Sequence, residues 1–436
     1  MAVSAPALHD ALIGIAGEAH VLRGAAAVAS YAVDGLVPAA VVRPGSIDEI
    51  GRLLALCTAE RLAVIPRGAG TSQALGNPPR RLDLVLELGR LATVRDYVPE
   101  DMVATVEAGV TLDALAAHLA PHRQMLALDP PGGGPRSVGG VLATHASGPR
   151  RFRYGTGRDL LLGARFVQAD GTLTWGGAKV VKSVTGYDVP KLLVGSLGTL
   201  GVLAEATLRL HPIPPATRSW RLGFPGHRGA RDFIAVLLDS PLQPDRAALL
   251  DAGALGRASL PVDPIALLLS ISSVAEAVEA QGQALERLAA EHGGRSEPMP
   301  ESVWSSLGPV LAGSVLLRSA SEPRRLLDHA AEAQSAARRL GVDIALLGQP
   351  GHGVLQLALA AGADPRRIAR EVALPLRQAL EAEGGSLVIE RGPIELKSEC
   401  DVWGSINSEV LAIMARIKNE FDPLGVLSPG RFVGSL

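Results

Sequence analysis

Pro66-Arg-Gly-Ala-Gly-Thr-Ser72 is the stretch that decides the fold class of this chain. It directly follows Leu62-Ala-Val-Ile65, an apolar run that is typical of a buried strand. Its glycines have no Cβ atom, so the backbone can adopt positive φ and approach an anion closely. Successive N–H groups of such a turn form a concave nest for phosphate oxygens, and the hydroxyls of Thr71 and Ser72 add donors. The loop therefore predicts a site for a phosphate-bearing cofactor.

Two further glycine-rich stretches in the same half of the chain extend this prediction. Ser137-Val-Gly-Gly140 continues into Thr144-His-Ala-Ser-Gly148, and Gly195-Ser-Leu-Gly-Thr-Leu-Gly201 follows later. The first loop is neither a G-x-G-x-x-G turn nor a P-loop, since no Gly-Lys-Ser/Thr follows it. Each loop alone reads as an ordinary tight turn. Their order, between strand-like segments, indicates one large cofactor that lies along the backbone.

Composition limits the class of protein. The 436 residues suffice for two domains, and 47% of them are hydrophobic but only 3% aromatic, so Ala, Leu and Val must build the cores. A net charge of -2 gives no electrostatic case for nucleic acid or an acidic membrane surface. Cys57 and Cys400 are the only cysteines, which argues against a disulfide framework or a cysteine-ligated cluster. We expect Cys57 to be an ordinary buried helix residue.

The sequence contains no targeting or membrane-spanning signal. Residues 1–17 lack a basic segment followed by an apolar run and a cleavage site. No stretch approaches the roughly 18 apolar residues that span a bilayer. We therefore expect a cytoplasmic protein with no direct membrane insertion.

Apolar patterns predict alternating strands and helices up to a break at His211-Pro-Ile-Pro-Pro215. Ser46, with Glu49 three residues on, forms a capping box that opens a helix to about Glu60. Residues 161–168 and 173–175 predict a hairpin. The second half predicts helices over 274–291, 323–340 and 365–383, which alternate with strands in two βαβ-like halves on one mixed sheet. A final helix over 405–421 precedes a proline- and glycine-rich tail.

This succession resembles the PCMH-type FAD-binding domain of the vanillyl-alcohol-oxidase family of flavoproteins. The closing stretch, 421–431, is similar to the tail that this family folds back onto its flavin domain. Ser147-Gly-Pro-Arg-Arg151 and Asp401-Val-Trp403 are most similar to the FAD-binding E subunits of bacterial glycolate oxidases. The resemblance implies an α+β fold with a two-part FAD domain and a mixed α/β cap over the substrate. The four implied parts are an N-terminal helical segment (1–33), the FAD-binding domain (34–214), the cap (215–394) and the returning helix and tail (395–436).

The resemblance also assigns residues to the cofactor. The pyrophosphate would be wrapped by Arg67, Gly68, Ala69, Gly70, Thr71, Ser72 and Gln73; Pro130, Val138, Gly139 and Gly140 would lie along the cofactor; Thr144, His145 and Ser147 would lie near the flavin ring; and Gly198, Gly201 and Val202 near the flavin or ribitol. Members with covalent FAD often have a histidine where this chain has Thr71 and Ser72, so we expect non-covalent FAD. The acidic residue usual in the third loop is Leu197 here, which predicts one missing contact.

Relatives that oxidise D-2-hydroxy acids carry two histidines and a glutamate that hold a divalent metal, and a further histidine as base. The corresponding segments here are Gly348-Gln-Pro-Gly-His-Gly-Val-Leu-Gln356 and Glu390-Arg-Gly392. Gln349 and Gln356 replace the ligand histidines, and a neutral amide is a poor ligand for zinc. Arg391 replaces the base, and a guanidinium stays protonated. The sequence therefore predicts no metal site.

The side chains near these segments have two interpretations each. Arg391 would either grip a substrate carboxylate or form a salt bridge with Glu390 or Glu395. His352 stands where relatives have an aspartate, and we expect a surface or hydrogen-bonded structural role for it.

Tyr187 and Lys182, beside the third loop, would either reach the flavin or serve packing, and packing is the default. No Ser-His-Asp or Cys-His spacing and no basic-aromatic pattern is present.

The resemblance predicts an FAD-binding subunit that oxidises a small 2-hydroxy acid such as glycolate or D-lactate. Its implied partners are a paralogous FAD subunit, which carries the metal chemistry, and an iron-sulfur subunit, which accepts the electrons. Any attachment to the inner membrane would then be made through partners. Two alternatives stay open: a self-sufficient, metal-independent FAD dehydrogenase, and a non-catalytic interaction subunit that retains FAD for structure.

Overall fold

The computed structural model describes residues 5–178, 187–360, 362 and 364–436. It confirms an α+β fold with two large hydrophobic cores. One core is built from residues between Leu12 and Leu210, to which Val426 and Leu427 of the tail are added. The other lies between Trp220 and Val402. Aliphatic side chains dominate both cores, as the composition requires.

Helices occur in both halves of the chain, and the longest described helix, over 275–291, has 17 residues. They are α1 (Ala5–Ala16), α2 (Ala25–Val28), α3 (Ile47–Ala59), α4 (Leu112–Leu119), α5 (Val138–Thr144), α6 (Arg151–Tyr154), α7 (Gly157–Leu160), α8 (Val189–Leu193), α9 (His227–Asp239), α10 (Ala252–Arg257), α11 (Ala275–Glu291), α12 (Leu326–Leu340), α13 (Pro365–Ile368), α14 (Leu374–Ala382), α15 (Ile394–Glu399) and α16 (Ser408–Phe421). Ser46 caps α3 as predicted, since its side chain accepts from the Glu49 N–H at 3.2 Å. None of the described helices is long and apolar enough to span a bilayer.

A four-stranded sheet carries the first glycine loop on its edge. Its strands are β1 (Val21–Arg23), β2 (Ala40–Val42), β3 (Val64–Arg67) and β4 (Leu84–Glu87), in the order β1-β2-β4-β3. Both β2 and β3 run parallel to β4. The loop at 68–73 therefore leaves the carboxyl end of a strand whose buried residues, such as Ile65, are fixed in the sheet.

A second sheet completes the N-terminal half. The strands that follow are β5 (Val94–Val98), β6 (Val103–Glu107), β7 (Gln124–Met125), β8 (Leu161–Val167), β9 (Leu173–Gly177), β10 (Val202–Arg209) and β11 (His211–Pro212). Five of them form a sheet in the order β5-β6-β10-β8-β9, while β7 pairs with β11. The predicted hairpin is β8 and β9, in which Val167 lies opposite Leu173. β5 escapes prediction because its residues are only partly buried.

The C-terminal half is built on an eight-stranded sheet. Its strands are β12 (Ala216–Phe224), β13 (Pro244–Asp251), β14 (Ile265–Ser273), β15 (Arg295–Met299), β16 (Val315–Ala320), β17 (Ile344–Gln349), β18 (Val354–Leu359) and β19 (Ser386–Arg391), in the order β15-β12-β14-β13-β17-β18-β16-β19. The prediction of a mixed sheet is wrong, because every pairing between the described strands is antiparallel. The βαβ units are present, but β14 lies between β12 and β13, and β18 between β16 and β17.

The two faces of this sheet have different neighbours. Side chains alternate along β13, so that Leu249 joins the large core while Leu250 joins a smaller one on the opposite face. The smaller core also holds Val310 and Leu311, which belong to the irregular segment 301–311. This segment and the carboxyl end of β19 face the glycine loops of the first half.

The tail folds back onto the first half, as predicted. The α16 helix begins at Ser408, three residues later than predicted, because the Asn407 side chain accepts from the N–H groups of the first turn. Beyond α16, Leu427 forms a parallel bridge with Val64. At the start of the tail, Lys397 binds Asp34 at 2.7 Å with its side chain fully buried. These contacts place the tail beside the loop at 68–73.

Candidate cofactor groove and active-site cavity

The three glycine-rich stretches meet in one groove, which we call the cofactor groove. Its lining is made of 65–68, 72–73, 139–140, 143–144 and 196–198, with Gly201, Leu203 and Arg431. A smaller hollow along 68–73, 136–137, 140–141 and Thr144 continues it. Loops that are far apart in sequence thus lie side by side, as the order of the motifs predicts.

The loop after β3 presents free backbone donors to this groove. Gly70 has φ +79°, a conformation that favours glycine. The Ala69 N–H is held by the Ser137 side chain at 3.4 Å. In the part of the chain that the structure describes, the N–H groups of Gly70, Thr71 and Ser72 have no hydrogen-bond partner. An anion would satisfy them, so the loop fits a pyrophosphate.

The N-terminus of α5 has a different role from the loop. The Val138, Gly139 and Gly140 N–H groups donate to Val110 O, Ala108 O and the Ser137 side chain. They are therefore not free to bind an anion. A Cβ on Gly139 would lie 2.7 Å from the Ala108 Cβ and 3.0 Å from its carbonyl oxygen. Glycine at this position lets α5 lie against the end of β6, and this contact sets the width of the groove.

Gly139→Ala is expected to weaken FAD binding roughly tenfold, since forcing α5 away from Ala108 costs about 1 to 3 kcal/mol. Titration of flavin-free protein with FAD measures the dissociation constant. Gly256→Ala is the matched control, because a Cβ there meets no atom within 4 Å. An unchanged dissociation constant for Gly139→Ala would show that α5 adjusts without cost to the groove.

The third loop closes the groove from the opposite side. Gly198 has φ +73°, and a Cβ on it would lie 2.9 Å from the Pro66 ring. Leu197 also adopts positive φ, at 54°. Its carbonyl accepts from the Ser428 hydroxyl at 3.1 Å, so the tail holds this loop in place. Leu197 lines the groove at the position where the resembled family usually has an acidic residue.

Arg431 is a groove residue that sequence reasoning missed. Its side chain is buried, and one of its guanidinium nitrogens donates to the carbonyls of Gln73, at 2.7 Å, and Leu75. Nη1, the other terminal nitrogen, has no partner among the described residues. Burial lowers the pKa of Arg431 to about 10, although Asp34 opposes the shift. The sequence feature that could have identified Arg431 is its position in the returning tail, at the end of the stretch 421–431.

Most of the residues assigned by resemblance line the groove or the adjoining cavity. They are Arg67, Gly68, Ala69, Gly70, Thr71, Ser72, Gln73, Pro130, Gly139, Gly140, Thr144, His145, Ser147, Gly198 and Gly201. Val138 and Val202 lie outside both linings and are core residues, each 1% exposed or less. A buried Gln73 Nε2 without a partner faces the same region.

A larger cavity, which we call the cationic cavity, opens beside the groove between the two halves. It has a volume of about 520 Å³ and is bounded by 144–147 on one side and by 305–312 and β16–β19 on the other. Four arginines line it: Arg136, Arg151, Arg318 and Arg391. Glu390 is the only acidic residue in its described lining. The cavity therefore favours an anionic ligand.

Three of the four arginines that line the cavity have no carboxylate partner among the described residues. Glu390 pairs with Arg318 at 2.8 Å and accepts from the Gln356 amide at 2.7 Å. Within the described ranges, Arg136, Arg151 and Arg391 form no ion pair. The predicted alternative of a salt bridge from Arg391 to Glu390 or Glu395 is absent among the described residues, and Glu390 pairs with Arg318 instead.

Arg391 instead bonds to a backbone carbonyl and keeps one buried nitrogen without a partner among the described residues. Its Nη2 donates to Leu311 O at 2.6 Å, while its buried Nε has no partner among the described residues. Burial is the main cause that lowers its pKa. A half-buried guanidinium with unsatisfied donors fits a ligand carboxylate.

The segment in which the resembled enzymes carry metal-binding histidines lines the same cavity. Gln349 and Gln356 both reach it, and the buried Oε1 of Gln349 has no described partner. No group of three or more His, Cys, Asp or Glu among the described residues is placed to hold a metal ion. His352 stacks edge-on against Phe152 at 6.4 Å, outside the cavity lining, so it has a packing role. These residues do not fit the metal site of the relatives.

Two of the other residues singled out from the sequence lie away from the cavity lining. The Tyr187 side chain is 95% exposed, so it neither packs nor lines the groove. Lys182 lies outside the described residues. Cys57 is buried in α3, where burial raises the pKa of its thiol to about 12, so the residue is an unreactive core side chain.

His145 occupies an unusual position at the edge of the cavity. It ends α5 in the left-handed conformation, with φ 52°, and it lines the cavity beside Thr144 and Ser147. Its buried Nε2 has no hydrogen-bond partner in the described chain. Burial, followed by the charges of Arg151 and Arg318, lowers its pKa below the usual value. The imidazole is therefore neutral near pH 7.

Comparison with known proteins agrees with this site. Residues 38–177 match the family model described as "FAD binding domain". The chain is 30% identical to a D-2-hydroxyglutarate dehydrogenase of Xanthomonas citri, over 90% of this chain and 89% of that protein. It is 27% identical to glycolate oxidase subunit GlcD of Bacillus subtilis, over 91% and 89%. The solved 4-ethylphenol oxidase from Gulosibacter chungangensis shares the fold, with a TM-score of 0.76, 17% identity and coverage of 98% of this chain and 97% of that one.

Proposed function

Because this chain belongs to the vanillyl-alcohol-oxidase/PCMH-type family of FAD-binding flavoproteins, we propose that it oxidises a small 2-hydroxy acid, such as glycolate or D-lactate, to the 2-oxo acid. It is an FAD-dependent oxidoreductase. We take 34–214 as the FAD-binding part, 215–394 as the cap, and 1–33 and 395–436 as segments packed on the FAD part. The two relatives named above, a D-2-hydroxyglutarate dehydrogenase and a glycolate oxidase subunit, support this substrate class.

The cofactor groove supplies the binding part of the mechanism. Bound FAD supplies a two-electron acceptor. The free N–H groups at 70–72 would hold its pyrophosphate, and Gly139 and Gly198 leave room for it beside α5 and Pro66. We propose that FAD is held without a covalent bond, since Thr71 and Ser72 offer no imidazole to tether it.

One observation carries the choice of substrate: three guanidinium groups without a carboxylate partner line the cavity that adjoins the segment 144–147. A 2-hydroxy acid is an anion, and its carboxylate would take the donors that Arg391 leaves unused. This would fix the carbon that bears the hydroxyl near the flavin end of the groove. The segment 305–312 covers the cavity and would limit access of water.

We propose further that the chain is the E-type FAD subunit of a glycolate oxidase-like complex in the cytoplasm, reaching the inner membrane only through partners. The partners would be a paralogous FAD subunit that carries the metal chemistry and an iron-sulfur subunit that takes the electrons. Both cysteines of this chain are buried and far apart in sequence, so an electron-transfer cluster must belong to another chain. The Bacillus subtilis relative is itself named a subunit.

Anaerobic mixing of the purified, FAD-loaded chain with glycolate or D-lactate tests the oxidation. We expect the visible flavin absorbance to bleach, because the electrons have no other acceptor. Rapid bleaching of the isolated chain would favour a self-sufficient dehydrogenase, whereas bleaching only with co-purified partners would favour the subunit of a complex. Purification from native cells, with iron analysis of co-purifying chains, tests the complex. A flavin that neither acid reduces, alone or in the complex, would contradict the proposal and favour a purely structural role for FAD.

A further inference from the structure

The 2-hydroxy acid oxidation proposed above needs a proton acceptor, and the position where relatives have a base is Arg391. Two other described lining residues can accept a proton, Glu390 and His145, and Glu390 is already bound by Arg318 and Gln356. His145 lines the cavity, and its Nε2 is buried without a partner among the described residues. A buried ring nitrogen without a partner loses free energy that a ligand hydroxyl would restore.

We propose that Nε2 of His145 accepts the hydroxyl proton of the substrate, an inference that rests on the proposed function. In this step the hydrogen of the substrate C–H bond would leave with its bonding electron pair, as hydride, to bound FAD, which supplies the two-electron acceptor. The O–H bond breaks, and its proton passes to Nε2. The carbon–oxygen single bond becomes the double bond of the 2-oxo acid, and the imidazolium later releases its proton to solvent.

The backbone at His145 supports this assignment. The ring is carried by the residue that directly follows α5, and the N–H of this residue donates to Leu142 O at 3.1 Å. Its left-handed φ directs the chain out of the helix toward Ser147 and the cavity. A histidine tolerates this conformation better than most residues, although it still costs about 1 kcal/mol. The residue is thus held at the point where the helix meets the cavity.

Burial and the charged groups around the His145 ring keep the ring unprotonated at neutral pH. Arg151 from α6, Arg158 from α7 and Arg318 from β16 disfavour the imidazolium, and Asp159 from α7 favours it. Burial adds to the effect of the arginines and is the largest cause. A lowered pKa keeps the ring unprotonated at neutral pH, although it also makes the ring a weaker base, and the free nitrogen is lost as the pH falls through that pKa, below 6.5.

The test compares the wild-type chain with His145→Asn and His145→Gln, each loaded with FAD and reduced anaerobically by D-lactate. Asn keeps the left-handed backbone accessible, and neither variant has a base. We expect the rate constant for flavin reduction to fall about 100-fold or more. The wild-type rate should decline in acid below the pKa of the ring, and the variants should lose this decline. His352→Gln, which alters a histidine outside the cavity, should behave as wild type.

An independent measurement follows the ring itself. Nitrogen NMR of histidine-labelled protein, with and without FAD, should show His145 neutral at neutral pH, and addition of oxalate should shift its Nε2 signal. Equal reduction rates in wild type and both variants, an unchanged acid decline, or a ring protonated at neutral pH would overturn the inference. Failure of every 2-hydroxy acid to reduce the wild-type flavin would instead overturn the proposed function, and the role of His145 with it.

Discussion

Arg391→Met is expected to raise the KM for a 2-hydroxy acid about 100-fold while FAD stays bound, because a hydrogen-bonded charge pair contributes about 3 kcal/mol. The guanidinium lines the cationic cavity and keeps Nε free, while Nη2 is fixed on Leu311 O. Methionine fills the same space without charge or donors. Steady-state kinetics with D-lactate, and the visible absorbance of the bound flavin, measure the two effects separately.

A matched control separates substrate binding from support of the cavity wall. Arg257 also donates to this wall, to Val310 O at 3.1 Å and Ala312 O at 2.6 Å, but it does not line the cavity. Arg257→Met should therefore leave KM unchanged. Arg391→Lys should give an intermediate KM, since it keeps the charge and loses the planar pair of donors. Equal KM values for Arg391→Met and wild type would exclude Arg391 from substrate binding.

Lys418→Met is expected to lower the free energy of unfolding by about 3 to 5 kcal/mol, the cost of breaking a buried ion pair. Lys418 lies 2.5 Å from Asp422 and donates to Thr199 O at 2.8 Å and Leu427 O at 3.0 Å. Removing the ammonium leaves a buried carboxylate and two carbonyls poorly satisfied. Denaturant unfolding, followed by circular dichroism, measures the change.

The control for this prediction is an exposed ion pair. Lys191 and Asp188 lie 2.8 Å apart with both side chains partly exposed, so Lys191→Met should cost less than about 1 kcal/mol. Adding Asp422→Asn to Lys418→Met should recover part of the loss, because the amide oxygen still accepts a backbone N–H without a buried charge. Equal stability of Lys418→Met and wild type would mean that the tail is not held by this pair.

The parts of the fold and site that depend on local sequence could be predicted. Glycine spacing identified the groove because a loop such as 68–73 needs its conformation whatever lies elsewhere in the chain. The cap of α3 at Ser46 and the hairpin of β8 and β9 were predicted for the same reason. The presence of glutamine rather than histidine at 349 and 356 was equally readable, since it depends only on which side chain is present.

Features that depend on distant contacts were not predictable from pattern. The antiparallel pairing in the eight-stranded sheet arises because a third strand lies between the two strands of each βαβ unit. Residue periodicity does not show which strand takes that place. The ion pair of Glu390 joins it to Arg318 on another strand, and the sequence does not show that this partner lies beside it. His145 was assigned to the cofactor, and only the geometry of the cavity shows that its Nε2 has no partner.

The clamp between Arg431 and the carbonyl of Gln73 also has a consequence for biosynthesis. The two residues are 358 positions apart. At about 5 to 20 residues per second, a ribosome adds the arginine roughly 20 to 70 s after the loop has been made. During that interval the nascent loop has its glycines but not the guanidinium that fixes its carbonyls. We therefore expect flavin capture to follow the synthesis of the tail, so that ribosome-bound chains stalled before Arg431 would retain little FAD.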